Sequence, residues 1–327
     1  MQSNEHATDY KSAYRKITDF DKRLHYSKVL VTESFVLKRM CRTEAATYRY
    51  LDRHRKSLSK NKTQVSIPSL LDYDRHQGLG LLTNVGDFGC PSLSEYFGTS
   101  QKYTTAYLSM LLHSFTIVRS LPKPLHLNNQ SDYDERINSI ISSLQYLESG
   151  ITGNEPTTCI ALYERVFDFV NESQEIIENS PLFPSHRDPN PTNFIVDESL
   201  IKIIDWETFG LSRIGYDEGR LYTYLALNPC LQKKFKSMLT AKFTRREEVY
   251  FWRVVACRSF REMVSIINGR YDMRFRAQGK IKISLAEKQI VLSSLEATLI
   301  HAVKVGTTLL RKVQKDRNRS TALHPTP

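Results

Sequence analysis

The stretch His186-Arg187-Asp188-Pro189-Asn190-Pro191-Thr192-Asn193, followed after two short apolar runs by Asp205-Trp206-Glu207, decides how this chain is read. Asp188 and Asn193 stand five residues apart in a loop that holds two prolines. Their fixed φ stiffens it. Twelve residues beyond Asn193, Asp205 closes the apolar strand that begins at Leu200. A carboxylate at a strand end, opposite a loop carrying Asp and Asn, suits a hard cation. Mg²⁺ takes a few oxygen ligands and completes its shell with phosphate oxygens and water. Asn193 and Asp205 read as the metal ligands, and Asp188 as the carboxylate aimed at an incoming hydroxyl. Phosphoryl transfer needs this division: metal to neutralise phosphate charge, and a carboxylate to orient the nucleophile and accept its proton. The plainer alternative for the same three residues is a polar loop in which Asp and Asn cap turns.

Outward from this stretch the chain changes character. Upstream, Ser27–Thr32 and Ser34–Met40 are short β-branched and apolar runs that predict a hairpin at Glu33-Ser34. Arg42–Leu58 has helical spacing, with Ala45, Tyr48 and Leu51 on one face. The segments SIPSLLDYD and GLGLLTNVG, the latter Gly78–Gly86, read as strands. Then come long amphipathic helix candidates at Tyr103–Leu121, Tyr133–Leu147 and Thr158–Glu178, and a mostly helical remainder from Tyr216. Strands first and helices after, interrupted by one buried hairpin, is an α+β order. It divides the chain into a small β-rich lobe, residues 1–84, and a large mainly helical lobe, residues 85–327, with a basic tail from about 311 that is expected to fray.

His-Arg-Asp, four residues, then Asn, followed by Ile204-Asp205-Trp206-Glu207, resembles the catalytic segment of the aminoglycoside phosphotransferase and choline kinase family. The resemblance implies a protein-kinase-like two-lobed fold and an ATP- and Mg²⁺-dependent phosphotransferase acting on a small-molecule hydroxyl. It extends to Phe209–Leu225, where Asp217 matches the Asp that braces the catalytic loop. Upstream, Phe35-Val36-Leu37-Lys38 is similar to the third strand of a kinase N-lobe, which implies that Lys38 touches the α/β-phosphates. Glu44 resembles the acid paired with that lysine. Gly80–Gly86 is similar to the segment that holds adenine. Lys38 also fits an ordinary edge-strand lysine, and Glu44 a first-turn acid favoured by the helix dipole. His186 reads as structural, and Trp206 as core.

The departures are as informative. No glycine occurs between Met1 and Gly78, so the Gly-rich phosphate loop is missing, and in the corresponding turn, Asp19–His25, Lys22 and Arg23 would supply positive charge instead. Arg187 stands where Gly or Asn is commoner in that family, and Thr83-Asn84 replaces an acidic pair near the hinge.

Composition bounds the remaining choices. The chain has 327 residues, 40% hydrophobic and 25% charged, as in soluble globular proteins. Five well-separated cysteines without a CxxC pair exclude a zinc ribbon and a full disulfide framework. Nine histidines without HExxH exclude the common zinc hydrolase pattern. No hydrophobic leader and no membrane span are expected, which points to the cytoplasm. The net charge of +11 is concentrated late: Leu231–Pro327 carries 21 Lys and Arg against 7 Asp and Glu. Such a region attracts anions, so an anionic metabolite fits the acceptor better than a polycation. A choline-like cation would need an aromatic cage, for which Tyr216, Tyr222, Tyr224, Tyr250, Phe251 and Trp252 are candidates. Two rival functions remain open at this point. One is a non-catalytic kinase-like module that binds nucleic acid or another acidic surface through its basic lobe. The other is a protein kinase, opposed by the mere 11 residues from Asp205 to Tyr216.

Overall fold

The computed structural model describes residues 29–31, 34–58, 64–86, 101–127, 156–178, 180–197, 200–239, 242–267 and 284–323. The expected turn at Lys22 and Arg23, Cys90 and the helix expected at 133–147 lie outside them. In chain order the elements are β1 (Val29–Val31), β2 (Phe35–Arg39), α1 (Arg42–Arg53), α2 (Arg55–Leu58), β3 (Gln64–Ser66), β4 (Leu70–Asp74) and β5 (Leu79–Thr83). Then follow α3 (Gln101–Arg119), α4 (Pro156–Glu178), β6 (Phe183–Ser185), β7 (Phe194–Asp197), β8 (Leu200–Ile203) and β9 (Gly210–Ser212). The last helices are α5 (Tyr216–Tyr224), α6 (Pro229–Leu239), α7 (Arg245–Ile267) and α8 (Leu285–Leu323). The α+β order of strands before helices is the one observed.

Two compact units divide the chain: Met1–Asn128 with Pro191–Phe209, and Asn129–Asn190 with Gly210–Pro327. The sequence places a lobe boundary near residue 84. The units run differently because α3 packs on β8 of the first unit, and a returning hairpin is invisible to a boundary read along the chain.

In the first unit, β1-β2-β5-β4 form an antiparallel sheet. Lys38 lies opposite Val29 on one side and Gly80 on the other. β2 is therefore a central strand, which removes the edge-strand reading of Lys38. α1 starts at Cys41, whose sulfur accepts the N–H of Glu44 at 3.4 Å. Its expected face is the buried one: Ala45, Tyr48 and Leu51 are all core. A turn at His54 splits the single expected helix in two. β7 and β8 form the hairpin read from the sequence, and β3 adds to β8 in parallel.

In the second unit, β6 and β9 pair antiparallel, and α7 packs along α8, α5 and α4. Five of the six rings offered as a cation cage are core, and Tyr224 is half-exposed. Tyr216, Tyr222, Tyr250, Phe251 and Trp252 are buried, and Tyr222 packs edge-on to both Phe251 and Trp252 at 5.5 Å. The tail expected to fray instead continues α8 to Leu323. Helix-forming Arg, Lys and Gln run there without glycine or proline. Arg317 also bridges to Glu175 at 2.6 Å, and Asp316 to Arg245. The expectation of no membrane span meets one candidate, in α8. By length and composition Leu285–Arg319 is able to cross a membrane, with an 18-residue window of mean hydropathy 1.3. In the fold one face of it is packed, with Val291, Leu295, Leu299, Ala302, Val303 and Leu310 buried, and 39% of the window is buried in all.

α5 lies so close to α7 that a Cβ on Gly219 would sit 2.9 Å from Val254 Cβ and 3.0 Å from the Phe251 carbonyl oxygen. Backbone cannot yield as a flexible side chain does. Gly219→Ala should therefore destabilise the protein by about 1–3 kcal/mol in urea titration, despite the better helix propensity of alanine. A variant as stable as the parent would show that the helices separate freely.

Candidate active site

The first unit gathers charge around one ammonium. Lys38 Nζ lies 2.9 Å from Glu44 Oε1, in close hydrogen-bond contact with Asp205 Oδ1, and 3.7 Å from Glu207 Oε2. Lys38 and Glu44 are buried, whereas Asp205 and Glu207 reach solvent. Burial opposes the charge on Lys38, but the Asp205 and Glu44 carboxylates outweigh it and hold its pKa above the ordinary lysine value. Burial also pushes the Glu44 carboxyl up. Lys38 counters that push, and Asp205 and Glu207 add to it. The two directions agree: one cation serves three carboxylates, and negative charge is in excess.

Local geometry puts Asp205 there. Trp206 is fully buried and its indole N–H donates to the Ile203 carbonyl at 2.9 Å, closing the turn after β8. Asp205 takes φ 60°, a left-handed conformation that costs a non-glycine residue about 1–2 kcal/mol. Asn193, buried at the start of the hairpin, is joined to the same turn, because Ile204 N–H donates to its carbonyl at 3.0 Å. Among the described residues no group of three His, Cys, Asp or Glu forms a metal cage. An Asp and an Asn beside excess carboxylate fit Mg²⁺, which needs few protein ligands when phosphate oxygens complete its shell.

Asp188 belongs to the second unit, and the chain passes from one unit to the other between Asn190 and Pro191. Its loop is held from below. Asp217, buried in the first turn of α5, accepts the Ser185 hydroxyl at 2.8 Å on one oxygen and the Arg187 N–H at 3.0 Å on the other. This is the bracing contact the resemblance implies. Arg187 adopts φ 65°, which explains why glycine or asparagine would suit the position, and its guanidinium lies over the Tyr216 ring at 5.7 Å. His186 is buried, and its Nδ1 accepts the Asp188 N–H at 3.3 Å, a structural role as read.

The sequence reading missed what holds the Asp188 side chain. Arg220 Nη2 bonds Asp188 Oδ1 at 2.9 Å, and the Tyr224 hydroxyl donates to the same oxygen at 3.1 Å. Burial pushes the Asp188 carboxyl up, but Arg220, His186, Arg258 and the Tyr224 hydroxyl outweigh it and hold it below the usual carboxylate range. Helical spacing was the available signal: Asp217, Arg220 and Tyr224 are three and then four residues apart and share a face of α5. Arg258, counted with the basic surface, is instead buried and paired with Glu262 at 2.8 Å. Lys38, Glu44 and Asp205 thus come together as side chains, Asn193 joins them through the main chain, and Asp188 has its own set of partners.

No family model and no curated protein sequence matches the chain. Its structure does resemble solved ones. A choline/ethanolamine kinase family protein from Mesorhizobium loti superposes with a TM-score of 0.53 at 15% identity, covering 83% of this chain and 88% of that one. An aminoglycoside phosphotransferase from Alicyclobacillus acidocaldarius gives 0.54 at 11% identity, over 88% and 93%. The aminoglycoside 2'-phosphotransferase-IIIa, solved as its GDP complex, gives 0.51 at 14% identity, over 92% and 99%. At these identities the likeness is one of fold: the chain has the kinase-like fold found in small-molecule phosphotransferases.

Proposed function

We propose that the chain is an ATP- and Mg²⁺-dependent phosphotransferase acting on the hydroxyl of a small molecule. The observation that carries this reading is the convergence of Glu44 and Asp205 on Lys38, residues 167 apart at the extremes, in a kinase-like fold. The nucleotide in the GDP complex of a structural neighbour supports nucleotide use here. Lys38, held by Glu44, binds the α/β-phosphates. Asn193 and Asp205 would hold Mg²⁺, which when bound neutralises phosphate charge. Asp188 orients the acceptor hydroxyl. The acceptor oxygen forms a bond to the γ-phosphorus as the bond to the β–γ bridging oxygen breaks, ADP departs, and the hydroxyl proton passes to Asp188. The five well-separated cysteines without a CxxC pair fit a reducing cytoplasm as the site of action.

Calorimetric titration of ATP and GTP, with and without Mg²⁺, tests the reading. Wild type should bind in a Mg²⁺-dependent manner and Asp205→Asn should not. Once an acceptor is found by metabolite screening, Asp188→Asn should lower kcat by about 10²–10⁴-fold. Near-full activity in that variant would end the assignment.

The pH dependence has a definite sign. Because the Asp188 pKa is depressed, its carboxylate form is complete above the ordinary value of about 3.9 and is lost only as pH falls through the lowered value. The acid limb of kcat/KM from this group should therefore lie below pH 4. A limb near pH 6 that persists at saturating Mg²⁺ would show that another group accepts the proton.

A further inference from the structure

From Ala297 to Leu323 helix α8 carries the basic residues Lys304, Arg311, Lys312, Lys315, Arg317 and Arg319 and a single acid, Asp316. Asp316 is paired with Arg245, and Arg317 with Glu175. The other five cations are exposed, and among the described residues none of them is paired with a carboxylate. With about 3.6 residues to the turn, these five fall within an arc of about 100° on the side of α8 away from Leu299, Ala302, Leu310 and Val313, which are buried. From Lys304 to Arg319 the helix rises about 22 Å. The neighbouring helix adds to this charge: α6 has three lysines and no acid. Its Lys236 lies over the Trp252 ring at 4.7 Å, and Trp252 packs edge-on to His301 at 5.2 Å, one turn before Lys304. Burial, and then Lys236 and Lys304, hold the His301 pKa below the ordinary histidine value, so the field at this end of the stripe is positive. The cationic excess is therefore uncompensated on this face, unlike the paired guanidinium groups inside the unit.

The side chains between the cations narrow the choice of partner. A helix that lies on an anionic membrane inserts large apolar side chains beside its basic ones, and a protein interface centres on aromatic or other anchors that become buried. Among the described residues from 301 to 319 no large apolar side chain is exposed, because the apolar face of α8 is spent on the core. Between Lys304 and Arg311 the stripe presents Thr308. A row of single cations without apolar anchors matches a row of single anions. Phosphates repeat every ~3.4 Å along each strand of a duplex, so the stripe runs beside about six of them.

We propose that this stripe of α8 is a docking surface for nucleic acid, held through its phosphate backbone and indifferent to base sequence. Lysine and arginine on one helix face supply the charge, and the counterions they release from the phosphates drive the association. The surface goes beyond the phosphotransfer reading and does not depend on it.

Fluorescence anisotropy of a labelled DNA duplex of about 20 base pairs, titrated with the full chain between about 50 and 200 mM salt, tests the surface without any turnover. Wild type should bind, equally well to a second duplex of unrelated sequence, and the logarithm of affinity should fall with the logarithm of salt at a slope of about −4 to −5, as five phosphate contacts require. The triple variant Lys304→Gln, Arg311→Gln, Lys315→Gln keeps good helix formers at exposed positions. It should make the slope shallower by about three and weaken binding at low salt at least about tenfold. Arg42→Gln, Arg53→Gln, Arg75→Gln removes the same charge from exposed positions of the first unit and should leave the slope as in wild type. No binding at about 50 mM salt, or an equal loss in the two triple variants, overturns the proposal. So does stripe-dependent sedimentation with vesicles of phosphatidylserine and phosphatidylcholine in a protein that does not bind the duplex, which would name a membrane as the partner.

Discussion

The carboxylate of Asp217 is divided between two donors, the Ser185 hydroxyl and the Arg187 N–H, and the order of the second unit around Asp188 depends on it. The first bond ties β6 to α5. The second fixes the backbone of the residue before Asp188. A negative charge in the first turn of a helix is also favoured by the helix dipole, so the buried carboxylate is supported on three sides. With the loop held, Arg187 tolerates a left-handed φ, and the Asp188 N–H is directed to His186. The same helix then carries Arg220 and Tyr224 to the Asp188 carboxylate. Gly219 lets α5 lie close enough to α7 for that face to be fixed.

Charge is handled differently in the two units. Around Lys38, one ammonium faces three carboxylates, and the surplus is negative. Around Arg220 and Arg258, two guanidinium groups face two carboxylates, and the balance is even. A surplus of carboxylate prepares a place for cationic charge such as a metal ion carried with phosphate. The basic character of the last third of the chain is thus partly interior: Arg253 is buried against Ser173 and Gln174, and Arg258 against Glu262.

Much of this was legible because it is local. The hairpin around Asp205, the strand carrying Lys38 and the helix face of Ala45, Tyr48 and Leu51 follow from alternation, helical spacing and proline stiffness over a few residues. The pairing of Lys38 with Glu44 was reached through resemblance, and the central position of β2 became visible only with the sheet assembled. What was not legible depends on distant packing. The aromatic residues of α5 and α7 look alike as cage or core, and only the approach of those helices at Gly219 decides for core at all but Tyr224. The basic end of α8 reads as a frayed tail, whereas it continues the helix at the surface, with Arg317 paired to Glu175 and Asp316 to Arg245. Arg220 carried a readable signal, its spacing from Asp217, but its partner Asp188 lies 32 residues away.

A carboxylate pinned by a guanidinium looks like a poor base, and the chemistry explains why that need not oppose its role. In phosphoryl transfer the transition state is loose, with little bonding to the incoming oxygen and therefore little acidification of its proton until late. Orientation of the hydroxyl then matters more than the proton affinity of the group that receives it, and a fixed carboxylate supplies orientation. Arg220 and Tyr224 both engage Oδ1, so the direction of the second oxygen is set by them. A weak base also has a benefit. In the proposed phosphotransferase, water that enters without an acceptor would be poorly activated, and the nucleotide would be protected from idle hydrolysis.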